Sequence, residues 1–160
     1  MLGLALFFIG VVLMVNGVGL MGHIDRRESA ILNLLVGLLA LLISVIGIWW
    51  AREAADFSAV AGGLLFAFTY LYLAAVQWWG LKGTGLGWYC LFVAVSALIF
   101  AAAAADIRLI AMWLLWTSLW FLFFLTLALN KSPRFLPLYT IFVGIVSCWI
   151  PGTLMLLGKW

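Results

Sequence analysis

Three tryptophans, Trp113, Trp116 and Trp120, recur at i, i+3 and i+7 in the fifth apolar stretch of the chain. Tryptophan in membrane helices is enriched at the lipid headgroups, yet Trp116 and Trp120 lie about 12 and 18 Å of rise from the helix start near Arg108. Flat rings with an N–H donor, placed this close to mid-membrane, favour the lining of a narrow path for a small, flat, uncharged molecule. Packing between helices is the alternative, because large aromatic side chains also fill cores.

The elements that must position this row are membrane-spanning helices. Hydrophobic residues make up 69% of the 160 residues, charged residues make up 8%, and the mean hydropathy is +1.31. Such a chain has too little polar surface to cover a soluble domain. A span needs roughly 20 apolar residues, which predicts an all-α, polytopic membrane protein with one transmembrane domain over residues 1–160. The six predicted helices occupy residues 2–22, 29–50, 58–78, 86–105, 108–129 and 135–157.

Every Asp, Glu, Lys and Arg falls in a loop or at a predicted helix end. Ionisable side chains inside the membrane are typical of proton relays and ion-coupled carriers, so this placement favours passive passage of a neutral solute. The net charge of +3 is too small and too dispersed to suggest nucleic acid binding. Catalytic and metal-binding groupings of His, Cys, Ser or carboxylates are not evident, so no enzyme activity, metal or cofactor is expected. Cys90 and Cys148 are interpreted as small apolar residues.

The basic residues predict the orientation of the chain in the membrane. Loops one, three and five carry Arg26, Arg27, Lys82, Lys131 and Arg134, whereas the opposite side carries Arg52, Arg108 and Lys159. The positive-inside rule then places these three loops in the cytoplasm and both termini outside. The first helix has no basic region before it and no evident cleavage site, so it is expected to be a retained span.

A four-residue apolar pattern recurs in the even-numbered helices. Its copies are Leu34-Leu35-Val36-Gly37, Leu91-Phe92-Val93-Ala94 and Ile141-Phe142-Val143-Gly144. Aromatic-rich segments in helices one, three and five are the expected partners of these helices. The repetition predicts three helical hairpins around a common axis, with a pore in the centre of the protomer.

Other residues within the spans have structural interpretations. Asn16 and Asn33 lie near helix ends, and a hydrogen bond between helices is their favoured role. Phe66 and Tyr70 share one helix face at i and i+4, which is compatible with either a pore or packing. Glycines inside the spans are expected to allow close helix approach; they are Gly10, Gly17, Gly37, Gly62 and Gly63.

Several longer motifs resemble the bacterial urea and amide channel family, which includes an acid-gated urea channel and amide channels encoded beside amidases. They are Met1-Leu2-Gly3-Leu4, Asn16-Gly17, Gly63-Leu64-Leu65-Phe66-Ala67-Phe68-Thr69-Tyr70-Leu71-Tyr72, Trp88-Tyr89-Cys90-Leu91-Phe92-Val93-Ala94, the Trp113, Trp116 and Trp120 row, and Trp149-Ile150-Pro151. The resemblance implies a six-helix protomer of three hairpins in the cytoplasmic membrane of a bacterium. It also implies a homo-hexameric ring with a separate solute pore through each protomer.

The resemblance also implies which residues line the pore. Helix one would contribute Leu6, Ile9 and Leu13, helix three would contribute Phe66 and Tyr70, and helix five would contribute Trp113, Trp116 and Trp120. Two positions depart from the acid-gated member. Leu109 stands where that member has a further tryptophan, and Val143 stands where it has a membrane glutamate. Val143 therefore removes an acceptor for the amide hydrogens of a solute.

The sequence thus predicts a passive channel for urea or short aliphatic amides such as acetamide. Acid gating is not expected, because His23 is the only histidine, the second loop is short, and the C-terminus stops at Trp160. Two alternatives stay open at this point. One is an aromatic-lined facilitator for a larger solute such as a vitamin or nucleoside, and the other is a membrane scaffold that transports nothing.

Overall fold

Six apolar helical segments, each long enough to cross a membrane, account for nearly the whole chain in the computed structural model, which describes residues 1–160. This confirms the predicted all-α, six-span architecture, and the predicted boundaries differ from those observed by only a few residues. The helices are α1 (Leu2–Leu20), α2 (Arg26–Trp50), α3 (Ala54–Trp79), α4 (Thr84–Ala103), α5 (Ile107–Leu129), α6 (Leu136–Val143) and α7 (Ile150–Leu156). The sixth span, Leu136–Leu156, consists of α6, a π-helical segment over Gly144–Trp149, and α7.

Short polar sequences set the helix ends. The Asp25 carboxylate accepts a hydrogen bond from the Arg27 N–H at 2.7 Å, and the Asp106 carboxylate accepts one from the Arg108 N–H at 2.8 Å. Such caps satisfy backbone donors that have no partner within the first turn. At the other end, α5 stops at Asn130, whose φ of 56° cannot continue a right-handed helix. The charged residues therefore mark the membrane surfaces, as their positions in the sequence predict.

The helices pack as three pairs, each with one odd-numbered and one even-numbered span. Two pairs, α2 with α3 and α4 with α5, are hairpins of consecutive helices. The third pair joins α1 to the sixth span, so it brings the two ends of the chain together. The four-residue repeat has a packing role in these pairs, because its valines, Val36, Val93 and Val143, are all buried.

Glycines at intervals of seven residues form the contact surface of α1 against the sixth span. A Cβ atom at Gly3 would lie 2.6 Å from the Met155 Cβ, and one at Gly10 would lie 2.7 Å from the Trp149 backbone nitrogen. The backbones thus meet where no side chain fits, which is a common device in membrane helix packing. The predicted role of Gly10 and Gly17 in close approach is confirmed. At Gly62 the close neighbour is instead the Trp113 ring, which would lie 3.0 Å from a Cβ atom added there.

The π-helical segment interrupts the sixth span just before Pro151. Proline has no N–H to donate to the carbonyl four residues earlier, and its ring crowds that carbonyl. The Ile150 N–H accordingly donates to the carbonyl oxygen of Ile145, five residues back. A π-helical segment shifts the side chains that follow it around the helix axis, and such segments often occur at functional sites. Here the segment carries Ser147, which is fully buried against α5.

Candidate functional site: an aromatic cluster at the end of a central cavity

Phe66 lies at the centre of an aromatic cluster formed by α3 and α5. Its ring centroid is 4.8 Å from that of Trp116 and 4.7 Å from that of Trp120, both in edge-to-face geometry. Trp113 and Tyr70 lie further out, each with its ring centroid 6.5 Å from that of Phe66. Edge-to-face contacts between aromatic rings are favourable beyond the area they bury. The i, i+3, i+7 spacing in α5 and the i, i+4 spacing in α3 therefore meet in one cluster.

A hydrogen bond from the sixth span holds Trp116 in place. The indole Nε1–H of Trp116 donates to the Ser147 hydroxyl oxygen at 2.9 Å, and that hydroxyl donates to the Val143 carbonyl oxygen at 2.7 Å. The indole nitrogen is thereby satisfied by the protein, so Trp116 borders the cavity without a free N–H donor. Ser147 is a site residue that was not predicted from the sequence. Its only signal was a lone serine in an apolar span four residues before Pro151.

A cavity of about 340 Å³ lies among α1 to α5 and reaches this cluster. At its deep end the lining residues include Leu13, Phe66 and Trp116. At its other end, which we call the loop end, they include Arg26 and Lys82, which lie at loops one and three on the side that carries most of the basic residues. No carboxylate lines the cavity, and its walls are mainly apolar. The cavity thus runs from the side of loops one, three and five to the middle of the bundle.

Five of the eight residues expected to line a pore border this cavity: Leu13, Phe66, Tyr70, Trp116 and Trp120. Tyr70 is almost fully buried, and its hydroxyl makes no hydrogen bond within the protein although it lies on the cavity wall. That hydroxyl is therefore a free hydrogen-bond donor on the cavity wall. These side chains are brought together as the spacing in α3 and α5 suggests.

The other three expected pore residues do not border the cavity. Leu6 and Ile9 are buried in the half of α1 that lies on the opposite side of the cluster from the cavity. Trp113 packs against Gly62 and against the Phe100 ring, with 5.1 Å between the ring centroids. Their role in lining a solute pore remains a prediction, and it concerns the part of the protein beyond the deep end of the cavity.

Val143 and Leu109, the two positions that depart from the acid-gated member, pack against other parts of the protein. Val143 is fully buried, and its backbone carbonyl accepts the Ser147 hydroxyl proton. Val143 does not border the cavity, whereas Leu109 is half-buried near the start of α5. Through its carbonyl, position 143 holds Ser147, and Ser147 in turn orients Trp116.

A second group of polar residues lies beside the same cavity, nearer its loop end. Asn16 and Asn33 form a reciprocal pair of amide hydrogen bonds of 2.9 and 2.7 Å, which confirms their predicted role in joining helices. Ser29 and Gln77 lie beside this pair. Neither was predicted as a site residue, since an isolated Ser or Gln near a helix end has no pattern that marks it.

Comparison with known proteins agrees with this arrangement. Residues 1–159 match the sequence model of a family described as "AmiS/UreI family transporter". The chain belongs to the AmiS/UreI family. Among its relatives, an AmiS/UreI protein of Rhodococcus erythropolis, the putative transporter protein AmiS2, is 35% identical over 96% of this chain and 78% of that protein. The acid-activated urea channel of Helicobacter pylori is 31% identical over the full length of both chains.

The fold of this AmiS/UreI member is likewise that of a solved channel. The crystal structure of the urea channel from Helicobacter pylori superposes with a TM-score of 0.90, at 32% identity, over 100% of this chain and 99% of that chain. The cryo-electron microscopy structure of the Helicobacter pylori urea channel in its closed state gives a TM-score of 0.89. These likenesses confirm the resemblance seen in the sequence. The protein is thus a multi-pass membrane protein of a transporter and channel family, and not an enzyme.

Proposed function

We propose that this AmiS/UreI protein is a passive channel for urea and short aliphatic amides such as acetamide. The observation that carries the proposal is the cavity that ends at Phe66, Trp116 and Trp120, without any charged group near those rings. The names of the relatives, which refer to an acid-activated urea channel and a transporter of amidate substrates, support the same class of solute. The proposal includes both urea and acetamide, because replacing an amino group of the solute by a methyl group changes little in an apolar slot.

The aromatic cluster provides the basis for selection. Urea and acetamide are planar, with polar edges and two faces that tolerate contact with aromatic rings, so they fit between such rings edge-on. A hydrated ion would lose its water shell at an apolar constriction that offers few replacement ligands, which costs far more than a neutral solute loses. A bulkier, non-planar solute such as glycerol lacks flat faces to lie against the rings. Weak binding is required, since tight binding would slow release.

The proposal includes the assembly and orientation of the channel. We expect a homo-hexamer in the bacterial cytoplasmic membrane, with one path through each protomer. The membrane-spanning helices α2 and α4 expose large apolar side chains, including Leu35, Leu42, Phe92 and Ile99. These side chains are available to contact lipid or neighbouring protomers. The excess of basic residues in loops one, three and five supports cytoplasmic placement of those loops, with both termini outside. The cavity would then open towards the cytoplasm.

Solute flux into proteoliposomes tests the proposed function. Stopped-flow light scattering should show urea and acetamide entering vesicles that contain the protein at least tenfold faster than they enter protein-free vesicles, on the order of what a selective slot gives. Glycerol should enter at nearly the protein-free rate. Equal rates for urea and acetamide in the two vesicle preparations would exclude a channel and favour a scaffold without transport.

Flux is expected to be independent of pH between pH 7 and pH 5. The second loop contains only residues 51–53, and the single histidine, His23, is exposed in loop one, on the opposite side. Hydrogen bonds from Arg108 hold the pKa of Asp106 below its usual value, so this carboxylate stays ionised at both pH values. Urea flux measured with the same pH on both sides of the membrane should therefore change by less than about twofold. A steep rise as the pH falls from 7 to 5 would show acid gating, and His23→Gln would test whether that histidine causes it.

A further inference from the structure

Three polar side chains from α1, α2 and α3, together with the backbone carbonyl of Ser29, form one hydrogen-bonded group beside the cavity. Asn33 is completely buried, and its Nδ2 lies 2.7 Å from the Asn16 Oδ1, 2.8 Å from the Ser29 carbonyl oxygen and 3.0 Å from the Gln77 Oε1. Asn16, Ser29 and Gln77 border the cavity, whereas Asn33 lies behind them. Asn33 is therefore the support of the group, and the other three residues lie between it and the cavity.

A backbone carbonyl fixes the orientation of the Asn33 amide in this group. The Ser29 carbonyl can only accept, so the atom of Asn33 that faces it must be Nδ2. The two hydrogens of Nδ2 are shared among three acceptors, of which Gln77 Oε1 is the most distant. The Gln77 amide nitrogen is then directed away from Asn33. The reciprocal pairing with Asn16 uses only one of the two Asn16 amide hydrogens. The group is thus oriented with its remaining N–H groups unpaired.

Ser29 contributes a third free donor. Its side chain is only 2% exposed, and its Oγ is the one buried side-chain polar atom of the protein without a hydrogen-bond partner. Serine in a helix usually donates back to the carbonyl four residues earlier, as Ser44 on the same helix does at 2.8 Å. The hydroxyl lies close to Gly19, because a Cβ atom added there would be 3.1 Å from the Ser29 Oγ. A buried hydroxyl without a partner is unfavourable, so its presence in a residue that borders the cavity points to a ligand.

We propose that Asn16, Ser29 and Gln77 form a binding subsite for the carbonyl oxygen of the solute, between the loop end of the cavity and the aromatic cluster. The inference rests on the proposed function, and it names the step that precedes passage between the rings. The free N–H groups of Asn16 and Gln77 and the O–H group of Ser29 match a carbonyl oxygen, which has two lone pairs and is the most electron-rich atom of urea and of acetamide.

The charges around the cavity act in the same direction. Arg26 and Lys82, the two charged side chains that border it, are both cationic. Their field attracts the negative end of a carbonyl dipole and repels ammonium, which consists only of donors and carries a positive charge. The subsite therefore separates an amide or urea from ammonium before either reaches the aromatic rings.

Ser29→Ala is the most specific test, because the hydroxyl has no partner in the protein. The substitution should leave thermal stability unchanged or slightly higher, yet it should lower the acetamide permeability relative to that of glycerol by about two- to tenfold, the range of one neutral hydrogen bond. Gln77→Met, which keeps the side-chain length and removes the donor, should act in the same direction. Gly19→Ala should reproduce the Ser29→Ala effect by covering the hydroxyl. Ser44→Ala is the matched control, since Ser44 bonds only to its own helix and does not border the cavity.

The outcomes separate this subsite from the proposed channel function. Wild-type flux with a selective loss in Ser29→Ala and Gly19→Ala, but not in Ser44→Ala, supports the subsite. If the wild-type protein conducts and the acetamide-to-glycerol permeability ratio is the same in Ser29→Ala and Ser44→Ala, the subsite is wrong and the proposed channel function is unaffected. Lack of facilitated flux in the wild-type protein overturns the channel and the subsite together.

Discussion

Gly10→Ala is expected to destabilise the protein by about 3 kcal/mol, at the upper end of the range for overpacking. The new methyl group would lie 2.6 Å from the Trp149 Cβ and 2.7 Å from the Trp149 backbone nitrogen. Backbone atoms cannot move aside as the end of a side chain can, so α1 and the sixth span would have to separate. Because this pair joins the two ends of the chain, its separation opens the bundle. Thermal unfolding of the detergent-solubilised protein, followed by circular dichroism, measures the effect.

Gly47→Ala is the matched control for this substitution. Gly47 also lies within a span, but the nearest atom to a Cβ there is the Val60 Cγ2 at 3.0 Å, the end of a side chain. Alanine is a better helix former than glycine by roughly 1 kcal/mol, so Gly47→Ala should be neutral or slightly stabilising. Equal stability of the two variants would show that the contact between α1 and the sixth span is looser than the structure describes.

The fold could be predicted from the sequence because the bilayer restricts the possible answers. Apolar runs of helical length, bounded by charged residues such as Asp25 and Arg108, allow only spans with polar ends. The close approach at Gly10 and Gly17 was predictable for the same reason, since small residues mark membrane helix contacts. Which helices pair was not specified beyond the alternation of odd and even spans. The pairing of α1 with the sixth span depends on glycines far apart in the sequence, and no local pattern reveals it.

The site was predictable only in part. The depth of Trp116 and Trp120 and the shared face of Phe66 and Tyr70 were sufficient to place an aromatic cluster. The anchor of that cluster, Ser147, was missed because its position depends on the π-helical segment, which shifts the phase of the helix. Ser29 was missed for another reason, since what distinguishes it is the lack of any partner, and this can be recognised only in three dimensions.

Phe66→Ala should allow glycerol to pass and lower the acetamide-to-glycerol permeability ratio on the order of tenfold. The Phe66 ring contacts both Trp116 and Trp120, so its removal leaves a gap at the deep end of the cavity. Loss of a buried phenyl group also costs about 3–5 kcal/mol of stability, so folded protein must be verified by size-exclusion chromatography before reconstitution. Phe68→Ala is the control, because Phe68 lies two residues away on the same helix and its side chain is 47% exposed on the outer surface.

The measurement that tests the central claim most directly is stopped-flow swelling of proteoliposomes with urea, acetamide and glycerol, for the wild-type protein, Trp116→Ala and Trp120→Ala. The aromatic cluster predicts high urea and acetamide permeability and low glycerol permeability in the wild type, and loss of this selectivity in both variants. Wild-type vesicles that admit all three solutes equally, with rates that neither substitution changes, would contradict selection by these rings.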